Sequence, residues 1–228
     1  MIVQIYTAQT PEEGVALAKL GVDHIGVTPS SAGLPGEISP GLARKIFDAL
    51  PPRAVKVALS VDTDAEKIAQ MVKIVKPDIL QLCGEIKVMN PEKVAALRQI
   101  LPAVQIMQAI PVIDREAVRL ALSFQEVADY LILDSFSKEI GGIGAAGFTH
   151  DWGISREIVQ ISHLPVILAG GLSPENVAEA IRIVQPWGVD SLTCTNLQLG
   201  GGRFIKDLVR VRSFVDHAHQ ASQDLKSG

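Results

Sequence analysis

Short apolar runs alternate along the chain with longer amphipathic stretches. The runs are rich in Val, Ile and Leu, and they span residues 2–6, 23–28, 54–60, 78–82, 103–110, 130–134, 165–169 and 188–192. Between them, apolar residues recur three and four positions apart, as on one helix face, for example in 11–21, 64–75, 91–101 and 174–184. Apolar strands that alternate with helices are typical of a parallel sheet covered on both faces.

This alternation predicts the fold class. Eight strand–helix units in 228 residues indicate an α/β fold, a single-domain (β/α)8 TIM barrel spanning 1–228. An open doubly wound sheet would show the same alternation, typically with fewer strands. The chain has no linker or low-complexity segment, and its polar tail is expected to fray after about Ala218. In such barrels the site residues lie on the loops that follow the strands.

The seventh apolar run leads into the most informative segment, AGGLSPENV. Gly170 and Gly171 follow the strand directly, and a helix is expected to begin at about Ser173–Pro174. Paired glycines let the backbone approach a ligand closely, and a helix N-terminus offers free N–H groups and a positive dipole end. The segment therefore predicts a phosphate site, although tight turns also use paired glycines.

The loops after the eighth and sixth strands supply further phosphate candidates. Thr193, Cys194 and Thr195 follow the eighth strand, where they are expected to donate hydrogen bonds to the same phosphate. Gly144 lies in the long glycine-containing loop after the sixth strand and is assigned to that site as well. Loops of this length are typical of lids or binding loops. A polar turn without a ligand remains the alternative after the eighth strand.

Acid–base chemistry is predicted at the end of the sixth strand. Asp134 ends that strand, and a carboxyl group there suits a general acid or base. The alternative is an aspartate that caps a loop or helix. His150 is a candidate for binding substrate, either paired with Asp151 or incidental beside an Asp151 that caps the next helix.

Polar residues on other strands are also expected to reach the substrate. These candidates are Gln4, Gln81, Ser60 and Asp62. No His, Asp or Glu group has the spacing of metal ligands, so no metal is expected.

Composition and charge exclude several functions. The net charge is −4 and Lys and Arg do not cluster, which argues against a nucleic-acid partner. The apolar runs are too short to span a membrane, and the N-terminus lacks the basic segment of a signal peptide. Cys83 and Cys194 are expected to be free thiols in a cytoplasmic protein.

Several motifs together resemble the phosphoribosylanthranilate isomerase family. They are AGGLSPENV, LILD, PWGVDS, QLCGE and a GGxG loop leading to an aromatic-x-x-Trp pattern, and the similarity covers most of the chain. The resemblance implies a cofactor-free rearrangement of an aminoaldose phosphate to an aminoketose phosphate in tryptophan biosynthesis. It also implies that Asp134 protonates the ring oxygen, while Gly170, Gly171 and the loop after the eighth strand hold the phosphate.

The chain departs from that family at three places on one face. Tyr6 stands where the family has its catalytic cysteine base, and tyrosine, with an unperturbed pKa of about 10, is a poor base. Gly36 stands where the family has a substrate-contacting arginine, and the family's Ser-Ser-Gly after the eighth strand is replaced by 192–194. Cys83 matches a family histidine, and it is either a relocated base or a small buried apolar residue.

Three hypotheses follow. The first is an isomerase of this type that acts on a phosphorylated sugar derivative. The second is a different sugar-phosphate epimerase or lyase, and the third is a non-catalytic protein that binds phosphosugars. Each implies a phosphorylated small molecule as the partner, and the chain is expected to be a monomer or a homodimer.

Overall fold

A computed structural model of the chain describes residues 1–137, 142–143 and 149–227. Within these ranges the barrel strands are β1 (Ile2–Ile5), β2 (His24–Val27), β3 (Val55–Ser60), β4 (Ile79–Leu82), β5 (Gln105–Pro111), β6 (Tyr130–Asp134), β7 (Val166–Leu168) and β8 (Gly188–Ser191). These eight strands run parallel and close in the order β1-β8-β7-β6-β5-β4-β3-β2. The predicted (β/α)8 barrel is thus confirmed.

One helix follows each strand and packs on the outside of the barrel. The helices are α1 (Pro11–Lys19), α2 (Pro40–Ala49), α3 (Ala65–Val75), α4 (Pro91–Ile100), α5 (Glu116–Ser123), α6 (Trp152–Ile161), α7 (Val177–Val184) and α8 (Leu208–Ser227). Proline opens α1, α2 and α4, where its missing N–H has no helical partner to lose.

Helix α7 begins later than the sequence predicted. The expected start was about Ser173–Pro174, whereas the helix begins at Val177. The Ser173 N–H donates to Asn176 Oδ1 at 2.8 Å, and Asn176 Nδ2 donates to the Gly171 carbonyl at 3.1 Å. These bonds hold the intervening residues in a turn that precedes the helix.

The last helix extends beyond the point at which the tail was expected to fray. Helix α8 continues to Ser227, well past Ala218. Ala218, Ala221 and Ser222 are buried, and α8 packs against α7. The composition of the tail is polar on average, but small residues at helical spacing give it a face that packs closely. No helix among the described residues is long and apolar enough to cross a membrane.

Alternate side chains of the strands fill the inside of the barrel. The inner cluster consists of Tyr6, Val57, Ile79, Cys83, Met107, Ala109, Ile132, Ile167 and Ala169. A larger apolar cluster lies between the strands and the helices. Because successive strand residues point to opposite sides, the residues that end the strands on the inner side surround the mouth of the barrel.

An ion pair joins α4 to the start of β6. Arg98 Nη2 lies 2.6 Å from Asp129 Oδ1, Arg98 Nη1 lies 2.8 Å from Asp129 Oδ2, and the Ile106 N–H donates to the same Oδ2 at 2.8 Å. The pKa of Asp129 is lowered, because the hydrogen bonds from Arg98 and Ile106 outweigh the effect of its partial burial.

Asp129→Asn is expected to lower the free energy of unfolding by about 1–2 kcal/mol at pH 7, since it removes a charged acceptor of three hydrogen bonds. Because the pKa of Asp129 is lower in the folded state than in the unfolded state, its ionisation stabilises the fold above the unfolded pKa of about 4. This contribution is lost as the pH falls from there through the pKa of the folded state. Asp48→Asn, in the exposed pair with Arg44, is the control and should cost less than about 0.5 kcal/mol. Urea unfolding at pH 7 and pH 3 measures both; equal losses for the two variants at pH 7 would contradict the account.

Candidate active site

A pocket opens at the carboxyl ends of β6, β7 and β8. Its lining residues are Asp134, Gly170, Gly171, Leu172, Asp190, Ser191, Leu192, Thr193 and Cys194. Five of these were predicted from the sequence as acid or phosphate-binding residues. The fold therefore brings a carboxyl group and a glycine-rich turn to one place, which is the combination that a phosphorylated substrate undergoing acid–base chemistry requires.

Asp134 ends β6 and brings a carboxyl group to the pocket. Its Oδ1 accepts a hydrogen bond of 2.7 Å from the Ser135 N–H. Burial raises the pKa of Asp134 to about 7, although the Ser135 hydrogen bond acts in the opposite direction. A carboxyl group with a pKa this close to neutral exists partly in its acid form under physiological conditions, as a general acid requires.

Asp190 on β8 brings a second carboxyl group to the pocket. The residue is 6% exposed, and its Oδ1 accepts no hydrogen bond from the described part of the chain. Burial and then the Asp134 charge raise the pKa of Asp190 to about 8, against a hydrogen bond from Gln4 and the charge of Lys206. The sequence analysis missed this residue inside an apolar run. The available signal was a lone carboxylate within a buried strand next to the predicted phosphate loop.

The turn after β7 depends on glycine. Gly170 and Gly171 have φ values of +79° and +62°, in the left-handed region that disfavours other residues. A Cβ atom at Gly170 would lie 2.5 Å from Ser135 Oγ and 2.9 Å from His150 Nδ1. The backbone of this turn therefore approaches the end of β6 as closely as a residue without a side chain allows.

The three threonine and cysteine candidates after β8 separate into two groups. They form a single turn of 3₁₀ helix, Thr193–Thr195. Thr193 and Cys194 line the pocket. Thr195 is fully buried, and its hydroxyl donates to the Leu192 carbonyl at 3.0 Å, so its side chain stabilises the turn.

A buried lysine stabilises this 3₁₀ turn through hydrogen bonds. Lys206 ends the hairpin of Asn196–Gly200 and Arg203–Lys206, and its Nζ donates to Leu192 O at 3.1 Å, Thr195 Oγ1 at 3.3 Å and Asn196 Oδ1 at 2.5 Å. Burial lowers the pKa of Lys206 to about 7, against the charges of Glu13 and Asp190. The sequence analysis missed Lys206 because only the hairpin returns it to the end of β8.

Tyr6 and Cys83 lie inside the barrel and are poor bases there. Burial raises the pKa of Tyr6, and the charges of Cys83 and Asp190 raise it further. Burial also raises the pKa of Cys83 to about 12, against a hydrogen bond from Gln81. Both groups therefore hold their protons at neutral pH, which weakens the case for either as the catalytic base.

The amides of Gln4 and Gln81 bond to protein groups. Gln4 Nε2 donates to Gln81 Oε1 at 3.1 Å, and Gln81 Nε2 donates to Cys83 Sγ at 3.3 Å. His24 Nδ1 lies 3.1 Å from Gln4 Oε1 and donates to it. The predicted substrate-binding glutamines thus form a hydrogen-bonded chain with Cys83 inside the barrel, and Gln4 is the register partner of Asp190 on the adjacent strand.

Ser60 and Asp62 line a different cavity. It has a volume of about 730 Å³ and lies between the loops after β2 and β3. Ser60 Oγ accepts from the Asp62 N–H at 3.2 Å, and Asp62 Oδ1 accepts from the N–H groups of Thr63 and Asp64. The structure therefore does not bring these two candidates to the pocket that contains Asp134.

His150 connects β6 to α6. Its Nε2 lies 2.7 Å from Ser155 Oγ, and its Nδ1 lies 3.3 Å from Ser135 Oγ. Burial lowers the pKa of His150 to about 4, so the ring is neutral. Asp151 caps α6 by accepting from the Gly153 N–H at 2.8 Å, which is the capping alternative of the sequence analysis.

Two further predictions concern Gly144 and metals. Gly144, the remaining phosphate candidate, lies outside the described residues. Among the residues that are described, no group of three or more His, Cys, Asp or Glu side chains could hold a metal ion.

Known proteins are similar to this chain in both sequence and fold. The family model described as N-(5'phosphoribosyl)anthranilate (PRA) isomerase matches residues 3–217. An N-(5'-phosphoribosyl)anthranilate isomerase of Methanocella arvoryzae is 35% identical over 94% of this chain and 96% of its own. A structure of monomers derived from the dimeric enzyme of Thermotoga maritima superposes with a TM-score of 0.78, at 26% identity over 96% of this chain and all of its own.

A second solved structure of such an enzyme contains reduced 1-(o-carboxyphenylamino)-1-deoxyribulose 5-phosphate. It superposes with a TM-score of 0.76, at 27% identity over 96% of this chain and all of its own. The family model matches nearly the whole chain, and the relatives align over at least 96% of their own lengths. The chain therefore belongs to the N-(5'-phosphoribosyl)anthranilate isomerase family.

Proposed function

We propose that the protein is a cofactor-free isomerase that converts a phosphorylated aldose derivative to the ketose, with N-(5'-phosphoribosyl)anthranilate as the first substrate to test. The observation that carries the proposal is a half-buried Asp134, whose pKa is raised to about 7, in one pocket with the glycine turn after β7. This places an acid next to a turn that suits a phosphate group.

The proposed reaction begins with proton transfer from Asp134. The carboxyl group gives its proton to the ring oxygen of the sugar, and the bond between that oxygen and C1 breaks to give an open-chain iminium ion. Loss of the C2 proton gives an enaminol, and tautomerisation gives the ketose. No atom is gained or lost and no net oxidation occurs, so the isomerisation needs no redox cofactor.

The phosphate is proposed to bind at the turns after β7 and β8. Gly170 and Gly171 offer backbone unobstructed by side chains, and Thr193 and Cys194 line the same pocket. A phosphate bound there fixes the sugar relative to Asp134, and binding energy from this remote group is expected to contribute to the rate. Gly144 is retained as a proposed contact.

Removal of the phosphate from the substrate tests this proposal. Purified protein is expected to convert N-(5'-phosphoribosyl)anthranilate, with kcat/KM lower by at least about 100-fold for N-ribosylanthranilate because the anchoring contacts are lost. Chromatographic separation of substrate and product measures both reactions. Equal turnover of the two substrates would contradict the phosphate site, and no turnover of either would contradict the isomerase assignment for this substrate.

A non-catalytic phosphosugar-binding protein is the second candidate. The buried hydroxyl of Tyr6 at the family's base position favours it, since this group is not a base near neutral pH. Calorimetry with ribose 5-phosphate separates the two functions: binding without turnover of the phosphorylated substrate supports the second candidate.

Assembly and location remain proposals. The Thermotoga maritima relative is described as dimeric, and a monomer or homodimer is proposed here. Both cysteines are free thiols, which suits a reducing compartment, and we propose that the protein functions in the cytoplasm.

A further inference from the structure

Asp190 lines the candidate active site, its buried Oδ1 accepts no hydrogen bond within the described part of the chain, and the reaction proposed above lacks a group that removes the C2 proton. We propose that Asp190 is this catalytic base. The inference rests on the proposed function. It assigns removal of the C2 proton to a residue of β8 instead of to Tyr6, which follows β1.

The order of the strands places the two carboxyl groups on either side of the phosphate turn. Strand β7 alone separates β6 from β8, with β6 pairing to β7 and β7 to β8. Asp134 and Asp190 line the same pocket as Gly170 and Gly171. A sugar anchored by its phosphate at this turn therefore has one carboxyl group on the β6 side and the other on the β8 side.

The hydrogen bonds of Asp190 leave one oxygen available. Asp190 Oδ1 is buried and accepts no hydrogen bond within the described part of the chain, which is costly unless a ligand satisfies it. Burial and the Asp134 charge raise the pKa of Asp190, whereas Gln4 and the positive charge of Lys206 act to lower it. The net effect raises the pKa of Asp190 to about 8, which makes its ionised carboxylate a stronger base than that of an exposed aspartate.

The other ionisable groups around Asp190 are less suited to this role. They are Tyr6 on the β1 side, Cys83 after β4, Asp134 on β6 and Lys206 on the hairpin. Tyr6 and Cys83 hold their protons at neutral pH, and Lys206 Nζ donates to three oxygens. Two neighbouring buried carboxyl groups resist ionising together, so the pair retains one proton and supplies one acid and one base.

The proton transfers balance over the whole reaction. After Asp134 has protonated the ring oxygen, the Asp190 carboxylate takes the proton from C2. The C2–H electrons form the C1–C2 double bond, and the iminium π electrons move to nitrogen. In the tautomerisation, Asp190 returns its proton to C1 and the Asp134 carboxylate takes the proton of the C2 hydroxyl. Both residues thereby regain their starting states.

Asp190→Asn, assayed with substrate carrying deuterium at C2, tests the assignment. We expect kcat to fall about 10²–10⁴-fold with KM changed less than about threefold, and the primary isotope effect on kcat to increase because C–H cleavage becomes rate-limiting. Asp134→Asn is expected to lose activity without that increase, since it slows ring opening. The exposed-site variant Asp48→Asn serves as the control.

The variant Asp190→Glu distinguishes a catalytic role of Asp190 from a purely structural one. It keeps a carboxylate, so we expect it to recover part of the activity lost in Asp190→Asn, whereas a residue needed only for packing would tolerate the larger side chain less well. Turnover by Asp190→Asn within about threefold of wild type, or a loss without any rise in the isotope effect, would overturn the assignment. Inactive wild-type protein would instead overturn the proposed function itself.

Discussion

Asp134→Asn is expected to lower kcat by about 10³-fold and to leave KM within about threefold of the wild-type value. Asparagine has nearly the shape of aspartate, but it has no acidic proton to transfer to the ring oxygen. Its side-chain oxygen can still accept the hydrogen bond from the Ser135 N–H, so the end of β6 should keep its structure. Steady-state kinetics with N-(5'-phosphoribosyl)anthranilate measure both constants.

The same acid determines the alkaline side of the pH profile. Because burial raises the pKa of Asp134 to about 7, the acid form predominates below that pH and is lost as the pH rises through it. The kcat/KM of the wild type is therefore expected to fall above pH 7, and the kcat/KM of the control variant Asp48→Asn is expected to fall in the same way. An Asp134→Asn variant that keeps a large rate with the same alkaline decline would show that another group is the acid.

Gly170→Ala is expected to lower the free energy of unfolding by about 3 kcal/mol and to abolish the affinity for ribose 5-phosphate. The added Cβ atom would meet Ser135 Oγ at 2.5 Å and His150 Nδ1 at 2.9 Å, and the residue would keep a left-handed φ of +79°. The turn after β7 then has to move away from β6, which separates the phosphate site from Asp134. Urea unfolding and calorimetry measure the two effects.

Gly33→Ala distinguishes the clash from the backbone strain. Gly33 has a similar φ of +82°, but a Cβ atom there meets nothing within 4 Å. This variant should therefore cost only about 1 kcal/mol and bind ribose 5-phosphate like the wild type. Equal costs for the two variants would show that the close approach of Ser135 and His150 to Gly170 has no energetic importance.

The barrel could be predicted from the sequence because its determinants are local. Strands buried on both faces leave a continuous apolar run, and each helix leaves a 3.6-residue period. Asp134, Gly170 and Gly171 were found for the same reason, since each directly follows or ends such a run. The extent of the last helix was not predicted, because the average polarity of the tail conceals the buried face formed by Ala218, Ala221 and Ser222.

The remaining site residues depend on contacts that only the closed barrel creates. Asp190 becomes unusual when β6 and β8 are brought to either side of β7, and Lys206 reaches Leu192 only through the hairpin after β8. Ser60 and Asp62 follow a strand at the correct end of the barrel, yet they line a separate cavity. Position along a strand predicts the end of the barrel, whereas the pocket itself depends on how neighbouring loops pack.

The identity of the product tests the central claim most directly. Chelator-treated protein would be incubated with N-(5'-phosphoribosyl)anthranilate, and the sugar carbons would be followed by NMR. We expect conversion to 1-(o-carboxyphenylamino)-1-deoxyribulose 5-phosphate, which has a ketone at C2. The chelator is expected to leave the rate of this conversion unchanged. Release of anthranilate and ribose 5-phosphate, or recovery of unchanged substrate from protein that binds it, would contradict the assignment as an isomerase.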